Sequence, residues 1–205
     1  MLIDYKILVE KYDWKPKGVI HIGGHRGEEQ SVYDAMGVAN TLWIEAIQES
    51  ADWIRDRFAD RDDINVICAT LSDKTEAATL HITNNLASSS ILPLGTHSQS
   101  HPDIHVTEKR KVRTALLSIL LIWQEDIMYD CINIDIQGAE LKALKGAYHI
   151  LDGIDTIYTE VNTEEVYKGC ALLPAMDEYL AGFGFTRVEI KMTRHGWGDA
   201  FYIKK

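Results

Sequence analysis

The segment Gly18-Val-Ile-His-Ile-Gly-Gly-His-Arg-Gly-Glu-Glu29 constrains this chain more than any other, because an apolar run ends in glycines and passes into helix-forming residues. That order reads as strand, tight turn and helix. The missing Cβ atoms of Gly23, Gly24 and Gly27 permit positive φ and close approach, so that backbone N–H groups at a helix N-terminus can face a polar ligand. A nucleotide-type cofactor suits such a turn, although a glycine turn serving only strand–helix packing has the same composition.

A second apolar run, Thr41-Leu-Trp-Ile-Glu-Ala46, ends in Glu45, 22 residues beyond Gly23. In a βαβ unit an acid at the tip of the second strand accepts from the two ribose hydroxyls; the alternative is a solvated strand-end glutamate. The dinucleotide fingerprint G-x-G-x-x-G would require glycine where the chain has Ile22. The spacing Gly23-x-x-x-Gly27 fits the looser pattern of adenosylmethionine enzymes better.

Composition excludes several classes. At 205 residues with 46% hydrophobic and 25% charged side chains, the chain reads as a single soluble domain over residues 1–205. Its formal charge of −10 repels a phosphate backbone, and the short basic cluster Lys109-Arg-Lys-Val-Arg113 reads as a solvated strand or loop. No nucleic-acid partner is expected. The longest apolar run, Ala115 to Trp123, is far short of the ~20 residues of a membrane span. No membrane partner or signal peptide is expected either. Cys68, Cys131 and Cys170 are widely spaced, without a CxxC pair, and read as reduced packing residues of a cytoplasmic protein.

Residues 1–17 suggest a leading helix lying across the fold, and their apolar residues could serve a homodimer. Glu28 to Val38 reads as a first crossover helix with Val32, Ala35 and Met36 on its inner face. Ser50 to Asp60 reads as a second, carrying Ile54 and Phe58, and Ile64 to Leu71 as a third strand. This β-α-β-α-β alternation predicts a parallel sheet with right-handed crossovers. Residues 72–114 then read as an irregular insertion over the site, with a strand-like Ala78–Thr83, the run Ser88-Ser-Ser90 and a polar stretch bearing His97, His101 and His105. Those histidines repeat every four residues, but Pro102 interrupts the run and no metal is expected there.

A helix over Leu116–Trp123 leads to Tyr129-Asp-Cys-Ile-Asn-Ile-Asp-Ile-Gln-Gly-Ala-Glu140. Cys131 to Ile136 reads as a buried strand, followed by a turn at Gly138 and a helix from Ala139 whose Leu141, Leu144 and Tyr148 share a face. Asp135 therefore lies at the carboxyl end of a central strand, where ligands of open α/β sheets bind; capping of the next helix is its alternative role. Ile154–Asn162 reads as a further strand with Glu160 and Asn162 on one face. After a helix from Leu173 to Leu180, two final strands around Arg194-His-Gly-Trp-Gly198 form an antiparallel hairpin.

With these motifs in order, the chain resembles the FkbM-type family of methyltransferases over about residues 18–204. The resemblance rests on Ile20–Glu29, Ile44-Glu45, Ser88–Ser90, Ile132-Asn-Ile-Asp-Ile-Gln-Gly-Ala-Glu-Leu-Lys-Ala-Leu-Lys-Gly146, Tyr158-Thr-Glu-Val161 and Gly196-Trp-Gly-Asp-Ala-Phe201. It implies an α/β class I methyltransferase (Rossmann-like) fold, with a mostly parallel seven-stranded sheet, helices on both faces and a C-terminal hairpin. It also implies S-adenosylmethionine and O-methylation, often of a sugar or polyketide hydroxyl. The chain departs from the family at His21 and Gln137, where acids are usual. A nicotinamide-dependent reductase and a catalytically silent cofactor-binding module are the competing readings.

The cofactor is expected over Gly23, Gly24, His25, Gly27 and Glu28, with its ribose on Glu45 beside Ala46. Its adenine is expected near Leu71, Ser72 and Asp73, and its methyl group near Asp135 and Ile136. Ser89, Ser90, Gln137, Asn162 and Trp197 are expected at the acceptor, a small molecule or glycan. A neutral hydroxyl is a poor nucleophile, so a base must take its proton; Asp135 is the first candidate, with Glu160 and His195 beside it. An Mg²⁺ site on Asp135, Glu160 and His195 is the alternative, but two carboxylates with no obvious third make a thin cage, and no metal is expected.

Overall fold

The computed structural model describes residues 2–122 and 127–205. In chain order the elements are α1 (Tyr5–Tyr12), β1 (Gly18–Ile22), α2 (Gln30–Met36), β2 (Asn40–Glu45), α3 (Gln48–Arg57), β3 (Ile64–Cys68), β4 (Thr70–Leu71) and β5 (Ala77–Thr83). They continue as α4 (His97–Ser100), β6 (Val106–Ala115), α5 (Leu117–Leu120), β7 (Cys131–Ile134), α6 (Glu140–Lys145), β8 (Thr156–Asn162), α7 (Leu173–Ala181), β9 (Phe185–Met192) and β10 (Trp197–Lys204). A seven-stranded sheet runs β3-β2-β1-β7-β8-β10-β9. The strands from β3 to β8 are parallel, and β10 is antiparallel to both β8 and β9.

Alternation along each strand divides the core between the two faces of this sheet. Ile20, Ile22, Leu42, Ile132 and Ile157 point to the face covered by α6 and α7, where Leu144, Met176 and Leu180 meet them. Val19, Trp43, Cys131, Tyr158 and Phe201 point to the other, against Leu8 of α1, Tyr33 of α2 and Ile54 of α3. Each such aliphatic side chain contributes about 1.5–3 kcal/mol on burial, so the strands are held from both faces. The leading helix is positioned by its Asp4 cap on the Lys6 N–H and by Trp14, whose Nε1 donates to Thr156 Oγ1 at 3.0 Å.

Several expectations are revised. The first crossover helix starts only at Gln30, so the glycines open a loop and not a helix. Its buried residues are Gln30 and Tyr33; Ala35 is exposed and Val32 and Met36 are half-buried. The third strand breaks at Ala69, and Thr70–Leu71 joins a separate three-stranded sheet of order β4-β6-β5. Residues 72–114 are accordingly ordered: β5 pairs antiparallel with β6 from Ala77↔Arg113 to Thr83↔Val106. The polar face of β6 hides its strand period, because only Thr114 of its ten residues is buried. The basic cluster lies on this solvated strand. The helix expected to reach Trp123 spans Leu117–Leu120, and Trp123 itself lies outside the described residues. Tyr148 is exposed because α6 ends at Lys145, before the next turn could carry it inward. Among the described residues no helix is long and apolar enough to cross a membrane.

Candidate active site

The carboxyl ends of β1, β2 and β7 open onto a cavity of about 310 Å³. The glycine loop forms its floor. Gly23 and Gly24 both donate their N–H groups to the Ile44 carbonyl, at 2.9 and 3.3 Å, tying the loop to the end of β2. Gly23 has φ +90°, and a Cβ there would collide with the Asp135 carbonyl, so the residue admits no side chain. These two N–H groups are therefore spent on the protein and not offered to a ligand.

The lining of the cavity is acidic. Glu28, Glu29, Glu45 and Asp135 line the cavity, and no described lining residue is lysine or arginine. Glu45 is no solvated strand end: it is buried, and its carboxylate accepts from His25 N at 2.9 Å and Ile47 N at 2.8 Å. Burial raises its pKa, against the pull of those bonds. A carboxylate has about four acceptor sites, so both oxygens retain capacity toward a ligand. Ile47, Leu71, Leu80 and Ile91 supply an apolar wall.

His21 also lines this cavity, stacked on Trp43 with ring centroids 4.2 Å apart. Asn133 Nδ2 donates to the Tyr33 hydroxyl at 2.6 Å, and that hydroxyl shares a hydrogen bond with His21 Nδ1 at 2.8 Å. Burial pushes the imidazole down to about 3, which keeps the ring neutral near pH 7. His21 therefore stands in as an uncharged packing and hydrogen-bonding group.

A second cavity, about 330 Å³, shares Ala87, Asp135 and Gln137 with the first. Its other walls include Glu160, Asp199, His97, Tyr167 and Trp197. Gln137 is the hub of the shared wall. It holds a left-handed backbone (φ 59°), a strained conformation for a residue with a side chain. Its Nε2 donates to Asp135 Oδ1 at 2.6 Å and to Glu160 Oε2 at 3.0 Å, while its Oε1 accepts from the Tyr167 hydroxyl at 2.6 Å. The Gln137 carbonyl accepts from Ser90 Oγ at 2.8 Å.

Glu140 completes the cluster. Its Oε1 accepts from Ile136 N at 2.9 Å and Gly138 N at 3.0 Å, turning the carboxylate back toward the end of β7. One oxygen each from Asp135, Glu140 and Glu160 lie within 4.8 Å of one another. Enclosure and mutual repulsion act in the same direction. Burial, opposed by the Gln137 amide, pushes Asp135 up to about 6; burial and the charge of Asp135 push Glu140 up to about 7 and hold Glu160 well above its ordinary value.

Of the residues expected at a cofactor, Gly23, Gly24, His25, Glu28, Glu45 and Ala46 line the first cavity, as do Leu71, Asp135 and Ile136. Gly27 does not: it packs on Phe58, whose Cε2 would lie 2.7 Å from an added Cβ. Ser72 does not either, being buried with its Oγ on Asp73. Of the acceptor candidates, Ser89 and Ser90 face the first cavity, Gln137 both and Trp197 the second. Asn162 is buried beside Glu160 and lines neither cavity. His195 stands outside the carboxylate cluster, next to His101 with ring centroids 5.6 Å apart. The sequence expectations do not single out Glu140, whose position in the first turn of a helix resembles an ordinary helix-dipole acid, or Asp199, which lies within the motif Gly196–Phe201, or Tyr167, which carries no local signal.

This sheet order, with β10 inserted antiparallel between β8 and β9, is the class I methyltransferase fold. Residues 21–187 match the family model described as the methyltransferase FkbM domain, and the chain belongs to that family. Among solved structures it is similar to an FkbM methyltransferase from Methylobacillus flagellatus KT: 14% identity, TM-score 0.63, covering 98% of this chain and 48% of that one. It thus spans about half the length of that relative. It is also similar to a SAM-dependent methyltransferase from Aquifex aeolicus (12% identity, TM-score 0.53, 98% and 90% covered). A third likeness is to magnesium protoporphyrin IX methyltransferase from Synechocystis PCC 6803 with bound SAM (9% identity, TM-score 0.53, 98% and 76% covered). At these identities the likeness is one of fold. No curated protein matches the chain.

Proposed function

We propose that this chain is an S-adenosylmethionine-dependent O-methyltransferase acting on a hydroxyl of a small polar acceptor, a sugar or glycan. The observation that carries the reading is the pair of cavities meeting at Asp135 and Gln137, the first of them acidic and free of lysine and arginine among its described lining residues. An acid-lined pocket suits a ligand bearing an ammonium, a sulfonium and ribose hydroxyls, and repels the pyrophosphate of a dinucleotide. That contrast favours adenosylmethionine over a nicotinamide cofactor.

When bound, adenosylmethionine supplies an electrophilic methyl group on its sulfonium sulfur. Glu45 would hold the ribose hydroxyls and Glu28 the amino-acid end, and Leu71 and Leu80 would give the adenine an apolar surface. Asp135, which lines both cavities, would be the carboxylate that takes the acceptor hydroxyl's proton, with Glu160 beside it. The flat ring of Trp197 offers a stacking surface for the C–H face of a sugar, and a net charge of −10 disfavours a nucleic-acid acceptor.

Calorimetric titration with adenosylmethionine, followed by detection of S-adenosylhomocysteine formed on a panel of sugars and glycans, tests the reading. Binding of the cofactor with turnover on at least one hydroxyl acceptor is expected. Failure to bind the cofactor, or a nicotinamide dinucleotide binding more tightly, would overturn it.

A further inference from the structure

We propose that Asp135, Glu140 and Glu160 hold a divalent cation, Mg²⁺ or Mn²⁺, in the wall between the two cavities. Their ligand oxygens already lie within 4.8 Å of one another. Around a small octahedral dication neighbouring oxygens sit roughly 3 Å apart, given metal–oxygen distances of about 2.0–2.1 Å, so side-chain adjustments alone can close the cluster.

The hydrogen bonds of the cluster orient it for such a ligand. Each carboxylate is engaged through one oxygen: Asp135 Oδ1 and Glu160 Oε2 by the Gln137 amide, Glu140 Oε1 by two backbone N–H groups. One amide nitrogen thus draws Asp135 Oδ1 and Glu160 Oε2 together, and the backbone pair holds the Glu140 carboxylate in place, as outer-shell partners do around metal ligands. The second observation is Glu160 Oε1. It belongs to a side chain only 4% exposed, and it has no hydrogen-bond partner. A buried carboxylate oxygen without a donor is costly, and no described residue lining either cavity is a lysine or arginine that could compensate it. A cation supplies what the site lacks. Three hard oxygen ligands of formal charge −1 match a dication better than a monovalent ion or a soft transition metal.

Occupancy of the site stands independently of the proposed reaction; its role rests on that reading. With the cation in place, Asp135 is a ligand and not the base. The acceptor hydroxyl takes an open coordination position toward the second cavity, where its pKa is lowered. The C–O bond then forms as the methyl–sulfur bond breaks, S-adenosylhomocysteine leaves, and the hydroxyl proton passes to water.

The test uses the whole chain, stripped with EDTA and free of cofactor, titrated with MnCl₂ by electron paramagnetic resonance and with MgCl₂ by calorimetry. A single saturable site is expected. Glu160→Gln and Asp135→Asn should each weaken it by about 10-fold or more, as loss of a ligand charge requires. Glu49→Gln, on the remote α3 surface, should leave it unchanged. Absence of stoichiometric Mn²⁺ binding in the wild-type chain overturns the proposal, and so does unaltered affinity in either variant that remains folded. Stabilisation by ammonium chloride at matched ionic strength, without Mn²⁺ binding, would mark the cluster as an ammonium site and likewise overturn it. Adenosylmethionine binding measured in EDTA separates the two readings: cofactor binding without Mn²⁺ binding removes only the cation, and the reverse removes only the methyltransferase assignment.

Discussion

The glycine loop with β2 and the carboxylate wall at the end of β7 treat their buried polar groups in opposite ways. Around the loop the carboxylate and the rings are paired, with Asn133 Oδ1 beside them unpartnered: Glu45 takes two backbone N–H groups, His21 Nδ1 and the Tyr33 hydroxyl share a hydrogen bond, and Trp43 Nε1 donates to Gln30 Oε1 at 3.0 Å. At the wall three carboxylates converge, Glu160 Oε1 and Asn162 Oδ1 have no partner, and Gln137 holds a strained φ. The first region pairs most of its polar groups; the second crowds like charges and strains its backbone, a cost to stability characteristic of sites shaped for a ligand. The loop is also local in sequence, whereas the wall draws on Asp135, Glu160, Tyr167 and Asp199.

The sharpest way to break this contrast is Asp135→Asn, which keeps size and polarity but removes the charge. It should lower methyl transfer by ~10²-fold or more while leaving adenosylmethionine affinity nearly unchanged. Equal losses in both measurements would mean that the wall and the loop form one binding unit. Next in size is Glu45→Ala, which should weaken cofactor binding by roughly tenfold or more, corresponding to about 1.5–3 kcal/mol for a charge-assisted contact. Calorimetry on the folded variant decides this, and an unchanged affinity would remove the ribose assignment.

The neutral His21 ring adds a pH signature to the first region. Its folded pKa, near 3, lies below the ordinary value of about 6.5, so at intermediate pH the unfolded chain binds a proton that the folded chain refuses. Its contribution is complete above the unfolded pKa and is lost as pH falls through 6.5 toward 3, by about 1.4 kcal/mol per pH unit. Urea unfolding of wild type and His21→Phe at pH 7 and pH 5.5 should show a shallower loss in the variant. Parallel curves would place the titration elsewhere.

The smallest effects oppose each other in sign for one chemical change. Glu45→Gln leaves a backbone N–H facing an amide NH₂, and unfolding should occur a few degrees lower, for about 1 kcal/mol or more. Glu160→Gln removes an incompletely paired buried charge, and in cation-free buffer unfolding should occur about 2–4 °C higher, for ~1 kcal/mol. Shifts of the same sign would erase the distinction between the two regions.

Much of the architecture was legible because it is written in local periodicity. Buried strands such as Gly18–Ile22 and Cys131–Ile134 are short, mostly apolar runs rich in β-branched residues, and the closing hairpin announces itself by Gly196 and Gly198. Of the second sheet only β5, strand-like over Ala78–Thr83, was legible. Most of the β6 side chains face solvent, so neither alternation nor an apolar run marks it, and only pairing with β5 makes it a strand. The start of α2 was read too early, because nothing in Gly23–Glu29 reveals that its first N–H groups will bind Ile44.

By itself, then, the sequence determined the parallel sheet and its hairpin, the turn at Gly23 where β1 ends, and acids at the tips of β2, β7 and β8, since each follows from composition and spacing within a few residues. Tertiary structure alone decided what those acids do. Glu140 reaches the cluster only because the turn at Gly138 folds it back onto Ile136; Gln137 bridges Asp135 and Glu160 only because β7 and β8 are neighbours; His195, equally plausible by residue type, ends beside His101. The distance between two side chains on different strands is set by sheet order and register, and no pattern within either strand encodes it.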